Sequence, residues 1–262
     1  MMRSLWTAGS GMAAQQANID VISNNLANVN TTGYKKSRSD FQDLMYATVR
    51  AAGANSGEDT QIPTGIQIGH GVRQAATQKI YTVGNLQNTG NPLDVAIEGE
   101  GFFQIMMEDG TVAYTRDGAF KKDSDGRLVT SEGYLLEPEL TIPDNATEIS
   151  ISPNGVVTAK ISGQVDPQEL GQLEVARFIN PAGLENIGRN LLRETAASGT
   201  PVVSNPGSEG AGSIAQQYLE MSNVQIVEEM VNMIVAQRAY EMNSKAITTS
   251  DEMLSQVAQL KR

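Results

Sequence analysis

The chain has 262 residues, and its composition excludes several classes of protein before any motif is considered. It has no cysteine and a single histidine, His70, which excludes a disulfide framework, a thiolate metal site and a histidine-based catalytic relay. The net charge of −11 disfavours nucleic acid or an anionic membrane as the main partner, because both attract basic surfaces. Residues 94–194 contain 18 acidic and eight basic residues, which predicts a solvated surface for this stretch.

The first 34 residues predict an N-terminal domain with one long helix, from about Ser4 to Val29. Small and apolar residues recur there at alternating spacings of three and four, so that one stripe faces a partner helix in a coiled coil. Glycines interrupt the stripe, and each costs about 1 kcal/mol relative to alanine in a helix. We therefore expect this helix to become ordered only on assembly. The positions assigned to the interface are Leu5, Met12, Ile19, Ile22, Leu26 and Val29.

Residues 35–92 predict an extended connecting segment. Within it, the stretch 46–65 is rich in glycine and small polar residues, a composition typical of a flexible linker. Isoleucines 62, 66 and 68 nearly alternate, however, and alternation favours a strand or a docked loop. The composition leaves both interpretations open.

Residues 93–194 change to an alternating pattern and predict one antiparallel β domain. Short apolar runs, among them Val112–Thr115 and Val156–Ile161, are separated by Asp-Gly or Asn-Gly pairs that accept the positive φ angles of hairpin turns. Because three of the Asp-Gly pairs follow one another at eight-residue intervals, a meander is the expected topology. The following stretch, 195–212, predicts a connecting loop.

Residues 213–262 predict a C-terminal helix that pairs with the first. Ser213 and Gln216 match a capping box, which places the start of this helix at Ser213. Apolar residues then fall seven apart, and the stretch 224–235 is apolar on nearly every side. One chain cannot bury such a surface, which favours self-association. The positions assigned to the interface are Leu219, Ile226, Met230, Met233, Tyr240, Ile247 and Leu254.

The sequence offers no catalytic or cofactor motif, so that we expect neither enzymatic activity nor a cofactor nor a metal. Residues 123–126 (DSDG) resemble half of a calcium loop, but the ligand spacing fails by two residues and favours a hairpin turn. No stretch approaches the roughly 18 apolar residues of a membrane span. Residues 5–14 are too interrupted for the apolar core of a cleaved secretory signal. We expect either a cytoplasmic protein or export by a route without such a signal.

Four stretches resemble known signatures. Residues 23–35 (SNNLANVNTTGYK) are similar to the N-terminal signature of bacterial flagellar rod and hook proteins, and residues 222–247 are similar to their C-terminal signature. Residues 94–103 and 114–118 resemble the same family. The single β domain and the stretch 46–65 resemble the distal rod branch of the family more than the larger hook branch.

The resemblance implies an α+β fold in which the terminal helices form a coiled-coil inner layer beneath an outer β domain. It implies that the stretch 46–65 is a long ordered hairpin packed on neighbouring subunits. It also implies a rigid helical tube that encloses an export channel and transmits motor torque to the hook and filament.

The partners implied are further copies of the chain, proximal rod subunits, the hook protein, the P-ring and L-ring proteins, and the flagellar type III export apparatus, but no nucleic acid. The implied location is the basal-body rod, from the periplasm to the outer membrane. Two alternatives stay open: a proximal rod or hook-type subunit, and a soluble coiled-coil oligomer with a β-rich binding domain.

Overall fold

The structure, a computed structural model, describes residues 2–53, 63–162, 166–208 and 210–260. The chain divides into two compact units. The first, here the helical unit, combines Met1–Ala27, Ser37–Gln78 and Gln225–Arg262, and the second, the β unit, combines Asn28–Lys36 and Lys79–Val224. Two terminal helices and a β-rich middle agree with the α+β class predicted from the sequence.

Among its described residues, the helical unit has two helices and two pairs of strands. Its elements are α1 (Met2–Ala27), β1 (Ser37–Asp43), β2 (Tyr46–Arg50), β3 (Ile66–Gly69), β4 (Val72–Lys79, whose last residue belongs to the β unit) and α2 (Ile226–Leu260). Strand β1 pairs with β4, and β2 pairs with β3 in antiparallel fashion, with a register shift between Thr48 and Arg50. The predicted first helix is confirmed, but it ends at Ala27, so that Val29 lies in the turn that follows.

The predicted start of the C-terminal helix is wrong. Helix α2 begins at Ile226, and Ser213 and Gln216 belong to a strand that pairs with Glu98 and Val95. The Gln216 side chain does not cap a helix: its amide nitrogen donates to the carbonyl oxygens of Pro92 and Ile149. Leu219 lies in a second strand, opposite Gln87. This stretch is extended because its backbone completes strands that lie more than 100 residues earlier in the chain.

Sixteen short strands lie in the part of the β unit that the structure describes. They are β5 (Leu86–Asn88), β6 (Val95–Glu98), β7 (Phe103–Met106), β8 (Val112–Thr115), β9 (Lys121–Lys122), β10 (Leu128–Val129), β11 (Leu135–Glu137), β12 (Ala146–Ile151), β13 (Val156–Ile161), β14 (Gln168–Gln172), β15 (Val175–Arg177), β16 (Glu185–Gly188), β17 (Leu191–Arg193), β18 (Val202–Ser204), β19 (Ser213–Gln216) and β20 (Tyr218–Glu220). A single 3₁₀ turn, Pro181–Gly183, lies before β16.

The main sheet of the β unit has the order β16-β17-β8-β7-β11-β10-β9. The hairpin β7–β8 turns at Gly110, whose φ of 77° confirms the predicted turn. The simple meander is wrong, because β17 comes from late in the chain and pairs with β8. The Asp117-Gly118 pair is not a hairpin turn either. A Cβ atom on Gly118 would lie 1.6 Å from the carbonyl oxygen of Val95, so glycine is required there for close backbone approach.

Side chains on both faces of this sheet are buried, because neighbouring residues of one strand belong to two different clusters: Ala113 to the first and Tyr114 to the second. Phe103 and Phe120 pack edge to face with ring centroids 5.2 Å apart. A second cluster surrounds Phe102 and Phe178. The predicted loop 195–212 contains β18, which pairs with β15, and β19 and β20 extend the β unit to Val224. The β unit therefore reaches beyond the predicted boundary at residue 194.

Candidate assembly surfaces

Helices α1 and α2 pack against each other in antiparallel fashion within the helical unit. The Ser4 and Ser250 hydroxyl oxygens lie 3.3 Å apart near one end of the pair. A Cβ atom on Gly11 would lie 2.9 Å from the side-chain nitrogen of Asn243. From the first contact to the second, α1 advances by seven residues and α2 goes back by seven residues, as expected for one antiparallel register.

A buried polar contact fixes the other end of this helix pair. Asn25, with 2% of its surface exposed, donates from Nδ2 to the Glu229 carboxylate at 3.3 Å. The same amide donates to the carbonyl oxygen of Ser37 at 2.8 Å and accepts the Ser37 backbone N–H at 2.9 Å. Unpaired buried polar groups are costly, so this contact favours one register over its neighbours.

The residues between the two helices are smaller and more polar than the sequence predicted. Ala8, Ala14 and Ala236 are buried alanines of the two helices, and the contacts described above involve serine, asparagine and glutamate side chains. Small side chains let two helix backbones approach closely, whereas large ones hold them apart. The contact within one chain is therefore narrow, and most large apolar side chains remain at its margins.

The structure separates the thirteen predicted interface residues into three groups. Ile22 is buried. The helical residues Leu5, Met12, Ile19, Leu26, Met233, Ile247 and Leu254 are half-buried, while Ile226, Met230 and Tyr240 are exposed. Val29 and Leu219 are half-buried but lie outside both helices. Because the thirteen positions concern contacts between copies, they stay a prediction. The buried contact of Asn25 with Glu229 lies within one chain and was not part of it. A carboxylate inside the apolar stretch 224–235 was the signal that could have identified Glu229.

The first third of α2 carries a continuous apolar surface, which we call the α2 belt. Its side chains have between 48% and 76% of their surface exposed. They follow one another at spacings of one, three and four, so that they form adjacent rows on the helix. Soluble chains seldom expose contiguous apolar surface unless it is an interaction site. The α2 belt consists of Ile226, Val227, Met230, Val231, Ile234 and Val235.

A second exposed apolar surface lies on the paired strands β2 and β3. Met45, just before β2, has 87% of its surface exposed, and Val49 has 62%. Ile66 and Ile68 on β3 are also exposed. Because β2 pairs with β3 in antiparallel fashion, the described residues 46–50 form one arm of a strand pair. That the whole stretch 46–65 is a long hairpin packed on neighbouring subunits stays a prediction. Residues 54–62, within the same predicted hairpin, lie outside the described residues.

The β unit is held by a buried cluster of three charges, which we call the ion cluster. Lys35 Nζ lies 2.5 Å from Glu220 Oε1, and Arg116 Nη1 lies 3.4 Å from Glu220 Oε2. All three side chains are at most 3% exposed. Burial lowers the pKa of Lys35, because it disfavours the ammonium, and the Glu220 carboxylate opposes part of that effect. This cluster joins the segment 28–36 to strand β20.

Neither a metal centre nor a membrane span was found in the described part of the chain. Within the ranges that the structure describes, no group of three or more His, Asp or Glu side chains could hold a metal ion. No helix among the described residues is long and apolar enough to cross a membrane.

Three family models match successive parts of the chain. Residues 5–35 match "Flagella basal body rod protein", residues 96–159 match "Flagellar hook protein FlgE/F/G D1 domain", and residues 215–260 match "Flagellar basal body rod FlgEFG protein C-terminal". The first and last matches contain the two helices, and the middle match lies in the β unit.

Full-length relatives agree with these matches. The chain is 57% identical to the flagellar basal-body rod protein FlgG of Borreliella burgdorferi, with all of both chains covered. It is 53% identical to FlgG of Buchnera aphidicola subsp. Schizaphis graminum, over 99% of this chain and all of the relative. It is 43% identical to FlgG of Bacillus subtilis, again over both complete chains. The chain therefore belongs to the FlgG family of flagellar basal-body rod proteins, as the resemblance predicted, and is a structural subunit of the rod.

Proposed function

We propose that the chain polymerises into the distal rod, as a rigid helical tube that encloses the export channel and transmits motor torque to the hook and filament. The α2 belt is the observation that carries this proposal. Six apolar side chains on one helix are about half exposed or more. Full burial of such a side chain contributes about 1.5–3 kcal/mol, so covering the belt with copies of the same chain would strongly favour assembly.

A tube needs contacts between two different faces of each subunit. Such heterologous contacts repeat without closing, and they generate a helical polymer instead of a ring of fixed size. The proposed inner layer is a coiled coil of α1 and α2 from successive copies. The seven-residue repeat of the contacts between the two helices supports it, since that repeat is the period of a left-handed supercoil.

The hairpin of β2 and β3 would lock adjacent copies and stiffen the tube. Its exposed apolar side chains support this role, because each would lose contact with water against a neighbour. The β unit would form the outer layer, as the acidic and solvated part of the chain. A tube built in this way resists bending and can therefore act as a drive shaft.

The finer assignments of partner and place are part of the same proposal. The rod would span the periplasm to the outer membrane, contact proximal rod subunits at one end and the hook protein at the other, and turn inside the P-ring and L-ring. The chain would reach this site through the flagellar type III export apparatus, without cleavage of a signal peptide. FlgG-family membership supports this arrangement.

A double substitution in the α2 belt tests the proposal. Met230→Asp with Ile234→Asp places two carboxylates one helical turn apart on the exposed rows of α2. We expect purified wild-type chain to form tubes that sediment and are visible by electron microscopy, and the variant to remain in the supernatant at every concentration tested. In cells, the variant should yield no distal rod and no motility.

The control is Gln237→Asp, which introduces the same side chain at an exposed polar position of the same helix. It should assemble at close to the wild-type concentration, because it removes no apolar surface. Normal tubes from the double variant would contradict the proposal. A small closed oligomer formed by the wild-type chain would also contradict it, since a tube requires open-ended contacts.

A further inference from the structure

A cleft of about 210 Å³ in the β unit has a lining that is unusual in so acidic a chain. Three of its side chains are cationic: Lys35, Lys79 and Arg189. No aspartate or glutamate occurs among the described residues that line it. The rings of Tyr34 and Tyr81 form part of its wall.

Two of the three cations already have carboxylate partners. Lys35 belongs to the ion cluster, in which it pairs with the Glu220 carboxylate. Arg189 Nη1 lies 3.6 Å from the Glu132 carboxylate and donates to the Tyr134 hydroxyl. The wall of the cleft is therefore positive even after these pairs are counted.

Lys79 differs from both. It is half-buried at the end of β4, and its ammonium lies 5.5 Å from the centre of the Tyr34 ring. Within the described parts of the chain, no carboxylate pairs with it. Burial lowers the pKa of Lys79, because nothing nearby compensates the lost hydration of the ammonium. A ring face replaces only part of that hydration, since a cation–π contact is weaker than a desolvated ion pair.

We propose that this cleft receives a carboxylate side chain from a second copy of the chain, and that Lys79 is its main anchor. This inference rests on the proposed function, because it identifies one contact between subunits of the polymer. A carboxylate would meet the unpaired ammonium directly. Asn186 also lines the cleft, and its side-chain amide would donate to the second oxygen.

Charge complementarity selects another copy as the occupant. The chain has 30 acidic and 19 basic residues, so every copy presents many more carboxylates than it can neutralise. Glu148 and Glu169, on β12 and β14, are exposed examples that occur in none of the ion pairs of the described residues. A positive cleft on a negative molecule also counters the repulsion that a homopolymer with a charge of −11 per chain must overcome.

The first test compares assembly of full-length variants. Lys79→Gln removes the charge and keeps most of the side-chain length, Lys79→Arg keeps the charge, and Lys121→Gln removes an exposed lysine elsewhere in the β unit. We expect Lys79→Gln to raise the concentration needed for polymerisation about tenfold. Lys79→Arg should restore most of the loss, and Lys121→Gln should lie within twofold of wild type. Thermal melting of the unpolymerised chains checks that all variants fold.

The second test identifies the occupant. Tubes grown from a mixture of ¹⁴N- and ¹⁵N-labelled chains are treated with a zero-length carbodiimide, which joins an ammonium to a carboxylate only when they are in contact. We expect a cross-link from Lys79 to an aspartate or glutamate, with both labels in one product, which shows that two copies are joined.

The outcomes separate this inference from the proposed function. If the wild-type chain forms no tubes, the proposed function fails, and the cleft proposal fails with it. If tubes form but Lys79→Gln assembles like wild type, or Lys79 cross-links only within one chain, the cleft proposal alone is overturned.

Discussion

The two units of the chain differ in how much of their apolar side chains is exposed. In the β unit, Phe103 and Ile105 have no exposed surface, and a closed core surrounds them. In the helical unit, Val227 and Val235 have 76% and 62% of their surface exposed. Hydrophobic burial is the main favourable term in folding, so the β unit has the composition of a domain that folds alone. The helical unit has the composition of an element whose exposed apolar side chains become buried against other copies of the chain.

Each unit also buries a glutamate, and the two glutamates have different kinds of partner. Glu220 in the β unit is neutralised by Lys35 and Arg116. Glu229 in the helical unit is 5% exposed and has the neutral amide of Asn25 among its hydrogen-bond partners. Charge neutralisation inside one chain suits a permanent core, whereas a neutral amide fixes a register with less charge compensation.

The largest expected effect comes from breaking the ion cluster. Glu220→Ala leaves the Lys35 and Arg116 cations buried without their carboxylate, and loss of one partner of a buried pair costs about 3–5 kcal/mol. We expect urea unfolding of the β unit, followed by circular dichroism, to show a loss in that range. The matched control is Glu185→Ala, which breaks the exposed pair with Arg193 and should cost at most about 1 kcal/mol. Equal losses for the two variants would contradict the central role of the ion cluster.

A smaller effect is expected from Asn25→Leu in the helical unit. The leucine removes a hydrogen bond to Glu229 and two to the Ser37 backbone, and each buried group left without a partner costs about 1–3 kcal/mol. We expect the polymer to melt at lower temperature, while the β unit unfolds as in the wild type. Gln16→Leu, at an exposed position of α1, is the control and should leave the melting temperature unchanged. A drop in the stability of the β unit would contradict the expectation that this unit folds alone.

The sequence predicted those parts of the fold that depend on neighbouring residues. The alternating runs Val112–Thr115 and Val156–Ile161 are strands with the predicted bounds, because period two and adjacent turn residues are local signals. It failed where pairing is distant. Ser213–Gln216 contains a good capping box, yet its partner strand begins at Val95, and no short-range pattern encodes that pairing. Tertiary contacts therefore override a local helix signal in this stretch.

The buried polar contact within the helix pair escaped the sequence analysis for a related reason. A spacing of seven residues identified apolar positions at the margins of the helix pair, such as Met233 and Ile247. It did not identify the polar end of the pair, where Asn25 and Glu229 are buried. Periodicity shows which face of a helix a side chain lies on, but not whether a partner helix buries it. Burial also depends on the distance between the two helix backbones, and small residues allow that distance to be short.

The smallest effect tests that close approach directly. Alanine in place of glycine adds helix propensity of about 1 kcal/mol at either Gly9 or Gly11. At Gly9 no atom outside its own turn lies within 4 Å of the added Cβ atom, whereas at Gly11 the Asn243 side chain lies at 2.9 Å. We expect Gly9→Ala to raise the melting temperature of the helices, followed by circular dichroism of the polymer, and Gly11→Ala to raise it by less than half as much. Combining Gly11→Ala with Asn243→Ala should recover the difference, because the smaller side chain makes room for the added methyl group. Equal shifts for the two single variants would mean that α1 and α2 are not in close contact at Gly11. A narrow contact between the two helices would then not explain why the large apolar residues remain exposed.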